Sequence, residues 1–380
     1  MATACDLHPR ILVADDQPDL IDAVRLLLKS EGIQVDAASS PEAALAALKG
    51  ASFDLLLMDL NYTNDTTSGR EGIDLLSRVQ AIDRLLPVIV MTGWGSVDLA
   101  VEAMRRGVRD FVQKPWDNTH LISTLRNEID EGRSRRQQHA LEQRELDEAR
   151  RIQRQLMPAA IPQLDGFEIV ASWQPAGGVG GDCYDAIAFG PSRVALSIAD
   201  VEGKGIPAAL LMSNLQAAVR AFATASAQPV EIALRVNRVL CGHAGEDRLI
   251  SFFYCYVDAD EGMLTYVNAG HFPPVLVRAD GTIERLSAGG PVLGVLSDGA
   301  YVQERTPIKS GDRLVLYTDG IIEAVNANGE MFSDERLIDL VVANRACSAP
   351  ALQARLTEAV AGHTDGRLQD DATLIVMAAD

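Results

Sequence analysis

The chain has 380 residues, 47% of them hydrophobic, enough to bury two separate cores. Its formal net charge of −19 excludes a nucleic-acid-binding output, because phosphate recognition needs a basic face. Cys5, Cys183, Cys241, Cys255 and Cys347 lie far apart with no Cys-x-x-Cys pair. That excludes a disulfide framework and a clustered zinc site, and fits a reducing compartment. The opening MATACDLHPR lacks the apolar core of a leader, and no apolar run approaches the roughly 18 residues that span a bilayer. A cytoplasmic protein with no membrane attachment is expected.

From Ile11 to about Leu125, short apolar runs alternate with amphipathic stretches. Strands are expected over 11–15, 33–37, 53–59, 87–92 and 110–114, and helices over 18–30, 41–49, 72–80, 97–107 and from 118 onward. Pro41 and Glu42 open a helix well, as do Ser96 and Asp98, whereas Gly32 and Gly107 fall where helices stop. Five strand–helix repeats predict an α/β fold, a doubly wound five-stranded parallel sheet with chemistry at the carboxyl ends of its strands.

The special residues fall at those ends. Asp15 and Asp16 end the first strand, Asp59 the third, Thr92 the fourth and Lys114 the fifth. Three carboxylates suit Mg²⁺, a hard cation that takes oxygen ligands. A hydroxyl and an ammonium beside them can hold a phosphoryl group transferred to a carboxylate. Residues 8–125 resemble the CheY-like receiver domain of response regulators. The resemblance implies that Asp59 is the phosphoacceptor and that a sensor histidine kinase supplies the phosphoryl group. It implies Asp15, Asp16, Asp59 and the Asn61 carbonyl as Mg²⁺ ligands, and Thr92, Lys114 and Phe111 as switch residues. One departure is the stretch Asn61–Arg70 before Gly72, longer and more polar than the usual turn of the family.

Residues 126–157 form a connector of dense mixed charge. Leu121, Leu125 and Ile129, then Leu141, Ala149, Ile152 and Leu156, fall mostly at helical spacing, interrupted by RSRRQQH, and Met157-Pro158 ends the pattern. A coiled coil that continues the last receiver helix and makes a homodimer is the favoured expectation, with a solvated single helix as the alternative.

Beyond Pro158 the pattern becomes strand-rich. Strands are expected over 167–173, 183–189, 193–200, 251–258, 263–269, 313–319 and 373–378, with helical segments at 207–223, 230–241, 335–346 and 351–362. This predicts an α+β layered sandwich over 158–380, two sheets packed together with helices on their outer faces.

Four segments here each offer an aspartate beside a glycine or another acid: Gly-Gly-Asp-Cys-Tyr-Asp from Gly180, Ala-Asp-Val-Glu-Gly-Lys-Gly from Ala199, Tyr-Thr-Asp-Gly from Tyr317, and Gln-Asp-Asp-Ala-Thr from Gln369. Each sits at the end of an apolar run, where a strand would deliver it to a common edge. Carboxylates without nearby His or Cys partners suit Mg²⁺ or Mn²⁺.

Together with ARRIQRQLMP (149–158), PAGGVGGDCYD (175–185) and NAGHFPP (268–274), these motifs resemble the metal-dependent PPM family of serine/threonine phosphatases, and more closely its bacterial SpoIIE/RsbU-type branch. The resemblance implies a dinuclear Mn²⁺ or Mg²⁺ centre. Asp182, Asp200, Asp319 and Asp370 would be the catalytic acids. Asp182 and Asp200 would be shared between the metals, Val201 would add a backbone carbonyl, and Asp319 and Asp370, with Asp371 as its immediate alternative, would complete the coordination of the second metal. Two such cations would activate water for in-line attack on phosphorus and offset the charge on the phosphoryl oxygens. No protein nucleophile is required, so Cys183 is expected to pack rather than react.

The family commonly has Ser after Asp-Val, where this chain has Glu202. His271 is expected to pack a loop. Lys204 is either a phosphate guide or solvated, and Asp185 either supports the ligands or caps a turn. The expectation is a two-component response regulator whose output is a protein phosphatase. In the resembling branch the substrate is a phosphorylated STAS-domain anti-sigma-factor antagonist in a partner-switching pathway. The competing expectation, prompted by Glu202, is a catalytically weak or inactive phosphatase-like domain that acts as a phosphorylation-regulated binding scaffold.

Overall fold

The computed structural model describes residues 8–62, 70–93, 102–241 and 249–380. The chain divides into two compact units, Met1–Arg144 and Glu145–Asp380.

In the first unit, β1 (Arg10–Ala14), β2 (Gln34–Ala38), β3 (Leu55–Asp59), β4 (Val88–Thr92) and β5 (Asp110–Gln113) form one sheet in the order β2-β1-β3-β4-β5. Every pairing is parallel. Alternation along the strands gives the sheet two apolar faces. Leu12, Leu56, Met58, Val88 and Val90 face the helices Pro41–Gly50 and Arg70–Ile82 through Leu45, Leu75, Leu76 and Val79. Ile11, Val13, Leu55, Leu57, Ile89 and Met91 face the opposite layer, where Ile21, Val24 and Leu28 of helix Pro18–Lys29 pack with Leu121, Leu125 and Ile129. Sheets covered on both sides read as continuous hydrophobic runs, which is why these strands were legible. The strand order reverses between β1 and β3, so their carboxyl ends flank the crevice where such folds place their chemistry. The helix expected over 97–107 and the polar stretch after Tyr62 lie partly outside the described residues.

The connector is a helix, Asn118–Leu156. Its first half is anchored in the first unit. Arg133 forks the Asp54 carboxylate at 2.8 and 3.0 Å, and Arg136 reaches the Phe53 carbonyl at 2.9 Å. Gly132 permits the approach, since a Cβ there would lie 2.9 Å from Pro87 Cγ. Leu141 and Ile152 are exposed on this helix.

The second unit contains two sheets. One follows the order β13-β10-β9-β8-β7, with β14 also paired to β10; its strands are β7 (Cys183–Ala188), β8 (Arg193–Val201), β9 (Ile250–Asp258), β10 (Met263–Ala269), β13 (Gly289–Gly290) and β14 (Glu304–Pro307). The other follows β12-β11-β15-β16-β6, built from β6 (Phe167–Gln174), β11 (Val275–Val277), β12 (Ile283–Arg285), β15 (Arg313–Tyr317) and β16 (Ala372–Ala379). Period-two alternation assigns the faces. Leu314, Leu316, Ile375 and Met377 join the core shared with β8, β9 and β10. Val315, Tyr317, Leu374 and Val376 instead pack with Leu337, Val341, Leu352 and Leu356 of helices Asp334–Ala343 and Ala349–His363. Helices Ile206–Phe222 and Pro229–Leu240 contribute Met212, Leu215, Ile232 and Val236 to the larger core. The expected sandwich is therefore present. Four strands of two to four residues, β11 to β14, extend it beyond the seven that the sequence suggested.

Candidate functional site

The first unit gathers Asp15, Asp16 and Asp59 closely enough for each to offer an oxygen to one cation. Lys114 Nζ donates to both Asp15 Oδ2 and Asp59 Oδ2 at 2.7 Å. Burial pushes the Asp15 carboxyl up from its usual range, against the pull of Lys114 and of the Gln17 amide. Burial also works against the Lys114 ammonium, but its two carboxylate partners leave it raised. The second Asp59 oxygen accepts the Leu60 amide at 2.7 Å and the Asn61 amide at 3.3 Å. Tyr62 donates its hydroxyl to the Ala14 carbonyl at 3.2 Å, tying the turn after β3 to the end of β1. Thr92 closes β4 and is half-buried, and Phe111 packs on the sheet core.

In the second unit the four acidic segments converge on one edge, though not all as strand ends, and among the described residues no three of their carboxylates stand as close together as those of the first unit. Asp182 precedes β7 and Asp200 lies near the end of β8. The antiparallel register pairs Cys183 with Ala199, which brings these two aspartates side by side. From the other sheet, Asp319 opens the short helix Asp319–Ile322 just after β15, and Asp370 and Asp371 immediately precede β16. Strands β15 and β16 are antiparallel, so a residue after one strand and residues before the next share an edge.

Two glycines make this convergence possible by close approach. A Cβ on Gly180 would lie 1.9 Å from Asp371 Oδ2, and one on Gly320 would lie 2.0 Å from the Asp371 carbonyl. Neither position leaves room for a side chain.

Asp182 is fully buried. Its Oδ2 accepts the Thr318 hydroxyl at 2.6 Å and the Thr373 hydroxyl at 2.5 Å. Burial first and Asp200 second drive its carboxyl well above the usual range, although both threonines oppose the shift. Asp200 is pushed up to about 7, chiefly by burial and then by Asp319, Asp370 and Asp371, while a hydrogen bond with Asp182 pulls the other way. Asp319 is raised by burial, Asp370 and Glu323. Against this negative field the described residues set Lys204, whose ammonium meets Asp370 Oδ2 at 2.9 Å and the Gln369 carbonyl at 2.7 Å.

Asp371 is held differently from the others. Oδ1 accepts the Ala176 amide at 2.9 Å and Oδ2 accepts the Gly181 amide at 2.8 Å, so this carboxylate shapes the loop that carries Asp182.

The remaining polar residues acquire definite partners. Asp185 is buried and receives a two-bond fork from Arg220 at 2.6 and 2.9 Å, which anchors helix Ile206–Phe222 to β7. Glu202 extends the β8–β9 ladder: its amide donates to the Leu249 carbonyl at 2.8 Å and its carboxylate accepts the Leu249 amide at 3.3 Å. His271 Nε2 faces the Tyr317 carbonyl at 3.1 Å, which can only accept, so Nε2 carries the proton and Nδ1 accepts from Ser251 Oγ at 2.7 Å. Burial holds this imidazole down at about 4. Cys183 is buried and its thiol is pushed well up by burial and neighbouring acids. Thr318, Thr373, Arg150, Gln153 and Arg220 are among the polar residues around this edge to which the sequence assigned no role. Both threonines stand inside the quoted motifs, directly beside the acids.

Fold and site together define a class: a receiver domain joined to a PP2C-like phosphatase domain. The response regulator receiver domain model matches residues 11–126. The model for stage II sporulation protein E (SpoIIE) matches residues 190–380, and the chain belongs to that family. Phosphoserine phosphatase RsbU of Bacillus subtilis (strain 168) is 32% identical over 234 residues, covering 61% of this chain and 69% of RsbU. Protein IcfG of Synechocystis sp. is 29% identical over 262 residues, covering 61% of this chain; the match spans only 41% of IcfG. The solved SiaA-PP2C domain of Pseudomonas aeruginosa shares the fold, with 21% identity and a TM-score of 0.56 over 64% of this chain and 98% of that domain. No described helix is long and apolar enough to cross a membrane.

Proposed function

We propose that the chain is a response regulator in which phosphorylation of Asp59 controls a metal-dependent phosphoserine/phosphothreonine protein phosphatase. The observation that carries this reading is the meeting of Asp182 and Asp200, side by side across β7 and β8, with Asp319 and Asp370 from the other sheet. The donor set fits a hard divalent cation. It is all oxygen, and burial first and neighbouring acids second raise the Asp182, Asp200 and Asp319 carboxyls, a repulsion that a bound cation would offset. Asp182, Asp200, Asp319 and Asp370, with the Val201 carbonyl, would hold two such ions. Bound there, Mn²⁺ or Mg²⁺ would lower the pKa of water and offset charge on the phosphoryl group.

The chain's own residues do the positioning. Thr318 and Thr373 fix one oxygen of Asp182, Asp371 holds the Gly180–Gly181 turn, and Lys204 orients Asp370. In the first unit Asp15, Asp16 and Asp59, with the Asn61 carbonyl, would hold Mg²⁺. Lys114 and Thr92 would receive the phosphoryl oxygens, and Phe111 would repack with them. A sensor histidine kinase is the proposed donor.

The name of RsbU as a phosphoserine phosphatase supports a phosphoserine substrate. The resemblance to its branch supports a STAS-domain antagonist as the protein that carries it, in a partner-switching pathway. Dimerisation through the connector is proposed on its exposed Leu141 and Ile152. Glu202, which prompted the scaffold alternative, has an ordinary backbone-pairing role.

The test is Mn²⁺-dependent hydrolysis of p-nitrophenyl phosphate by the full chain and by Asp319→Ala, with and without beryllofluoride. Turnover in the wild type, its loss in the variant and a rate change with beryllofluoride are expected. Absence of turnover in both proteins would overturn the enzyme reading, and an unchanged rate would overturn control through Asp59.

A further inference from the structure

The loop 175–182 that delivers Asp182 belongs to no strand or helix, so something other than a backbone ladder must hold it. One side is gripped by Asp371 through the Ala176 and Gly181 amides. The other is gripped by the last turns of the connector helix. Gln153 Nε2 donates to the Gly180 carbonyl at 2.6 Å, and the Gly180 amide returns a bond to Gln153 Oε1 at 3.0 Å. One turn earlier, the Arg150 guanidinium donates to the Gly178 carbonyl at 2.7 Å and the Gly177 carbonyl at 3.1 Å.

Gln153 is only 3% exposed in a helix that is otherwise largely solvated. A buried carboxamide satisfied from both ends is a costly group to displace, because its partners would be left unpaired in a dry site. The Gly180 backbone is thus sandwiched between Gln153 and the Asp371 carboxylate, with no space for a Cβ between.

We propose that Gln153 is a positioning residue for Asp182. The reciprocal bond pair makes the end of the connector helix part of the acid site, so a displacement of that helix is passed to the Asp182 carboxylate through Gly180 and Gly181. This rests on the phosphatase reading and adds its route of control. Gln153 touches neither substrate nor metal; it acts through the loop backbone.

The test compares the full-length wild type with Gln153→Met, Gln153→Glu and the control Gln163→Met. Gln163 also bonds backbone through its carboxamide, to Ile161 and Ile169 at 3.0 Å, but has no bond to the loop. Amide hydrogen exchange at Gly181 and Asp182 is measured without metal, and Mn²⁺ affinity by electron paramagnetic resonance of the free ion.

Gln153→Met is expected to accelerate exchange at both amides and to weaken Mn²⁺ binding by about tenfold, or ~1.4 kcal/mol. Gln153→Glu keeps an acceptor for the Gly180 amide but sets a buried carboxylate oxygen against the Gly180 carbonyl, so it is expected to accelerate exchange at least as much as Gln153→Met and is a second test of the same bond pair. Gln163→Met should leave both readouts at wild-type values. Unchanged exchange in the Gln153 variants, or an equal effect of Gln163→Met, overturns the proposal. A wild type that neither binds Mn²⁺ nor hydrolyses phosphate would overturn the phosphatase reading instead, while the exchange rates would still decide the clamp.

Discussion

The Thr318 hydroxyl donates to Asp182 Oδ2 at 2.6 Å across 136 residues of sequence, binding the edge of one sheet to the edge of the other. Thr318→Val keeps the shape and removes the donor, leaving Thr373 as the remaining hydroxyl on that oxygen. The expected loss of stability is about 1–2 kcal/mol, the scale for a buried acceptor deprived of one partner. Urea denaturation checks it. Mn²⁺ affinity should fall as well, because Asp182 becomes harder to ionise.

His271 gives a pH dependence with a definite sign. Its folded value of about 4 lies below the ordinary 6.5, so between these values the unfolded chain binds the extra proton. Stability from this group is fully present above 6.5 and is lost as pH falls toward 4. Between pH 7 and pH 5 the loss amounts to about 2 kcal/mol. His271→Gln should flatten the stability difference between these two pH values relative to the wild type, measured by denaturant unfolding at each.

Arg220 and Asp185 form an unequal pair, with the arginine side chain 52% exposed and the aspartate 3% exposed. Water reaches the guanidinium, so removing it should cost about 2 kcal/mol rather than the ~3–5 of a fully enclosed pair. Arg220→Met leaves the buried Asp185 carboxylate without its counter-charge. Adding Asp185→Asn should recover part of the loss, and a double-mutant cycle by chemical denaturation reads the coupling.

Lys114 pairs with both Asp15 and Asp59 from one position, offsetting part of their charge. Lys114→Met should lower the melting temperature of the first unit in the absence of metal, since three close acids then face one another. Mg²⁺ should bind the variant more tightly and raise its melting temperature by a larger increment than in the wild type. A smaller increment would contradict the electrostatic account.

The parts legible in the sequence were those with strong local patterns. Strands such as Leu55–Asp59 are buried along their whole length and read as apolar runs ending in an acid. β8 is similar, with buried residues from Val194 to Ala199 leading to a half-buried Asp200. Strands β11 to β14 were not legible, because two to four residues cannot display a period. Thr318 and Thr373 were visible but mute, since a hydroxyl next to an aspartate has no sequence signature for donating to a different aspartate far along the chain. Gln153 sits on a helix with several other glutamines, and only the tertiary fold selects which one turns inward. Arg220, alone of its kind on its helix, gives no sequence sign of pairing with an aspartate 35 residues earlier. Asp371 shows the same limit from the other side. Its place in the Asp-Asp pair suggested a ligand, whereas its two oxygens hold the backbone of a distant loop.

The loop between Gln174 and Cys183 has a shape stored outside itself. Arg150, Gln153 and Asp371 supply the bonds that a ladder would otherwise provide, and they come from opposite ends of the second unit's sequence. A peptide of residues 175–182, or a graft of it onto another sandwich, would therefore carry the letters of the motif without its geometry. A terminal truncation that removed either Gln153 or Asp371 would abolish the arrangement while leaving every residue of the loop in place.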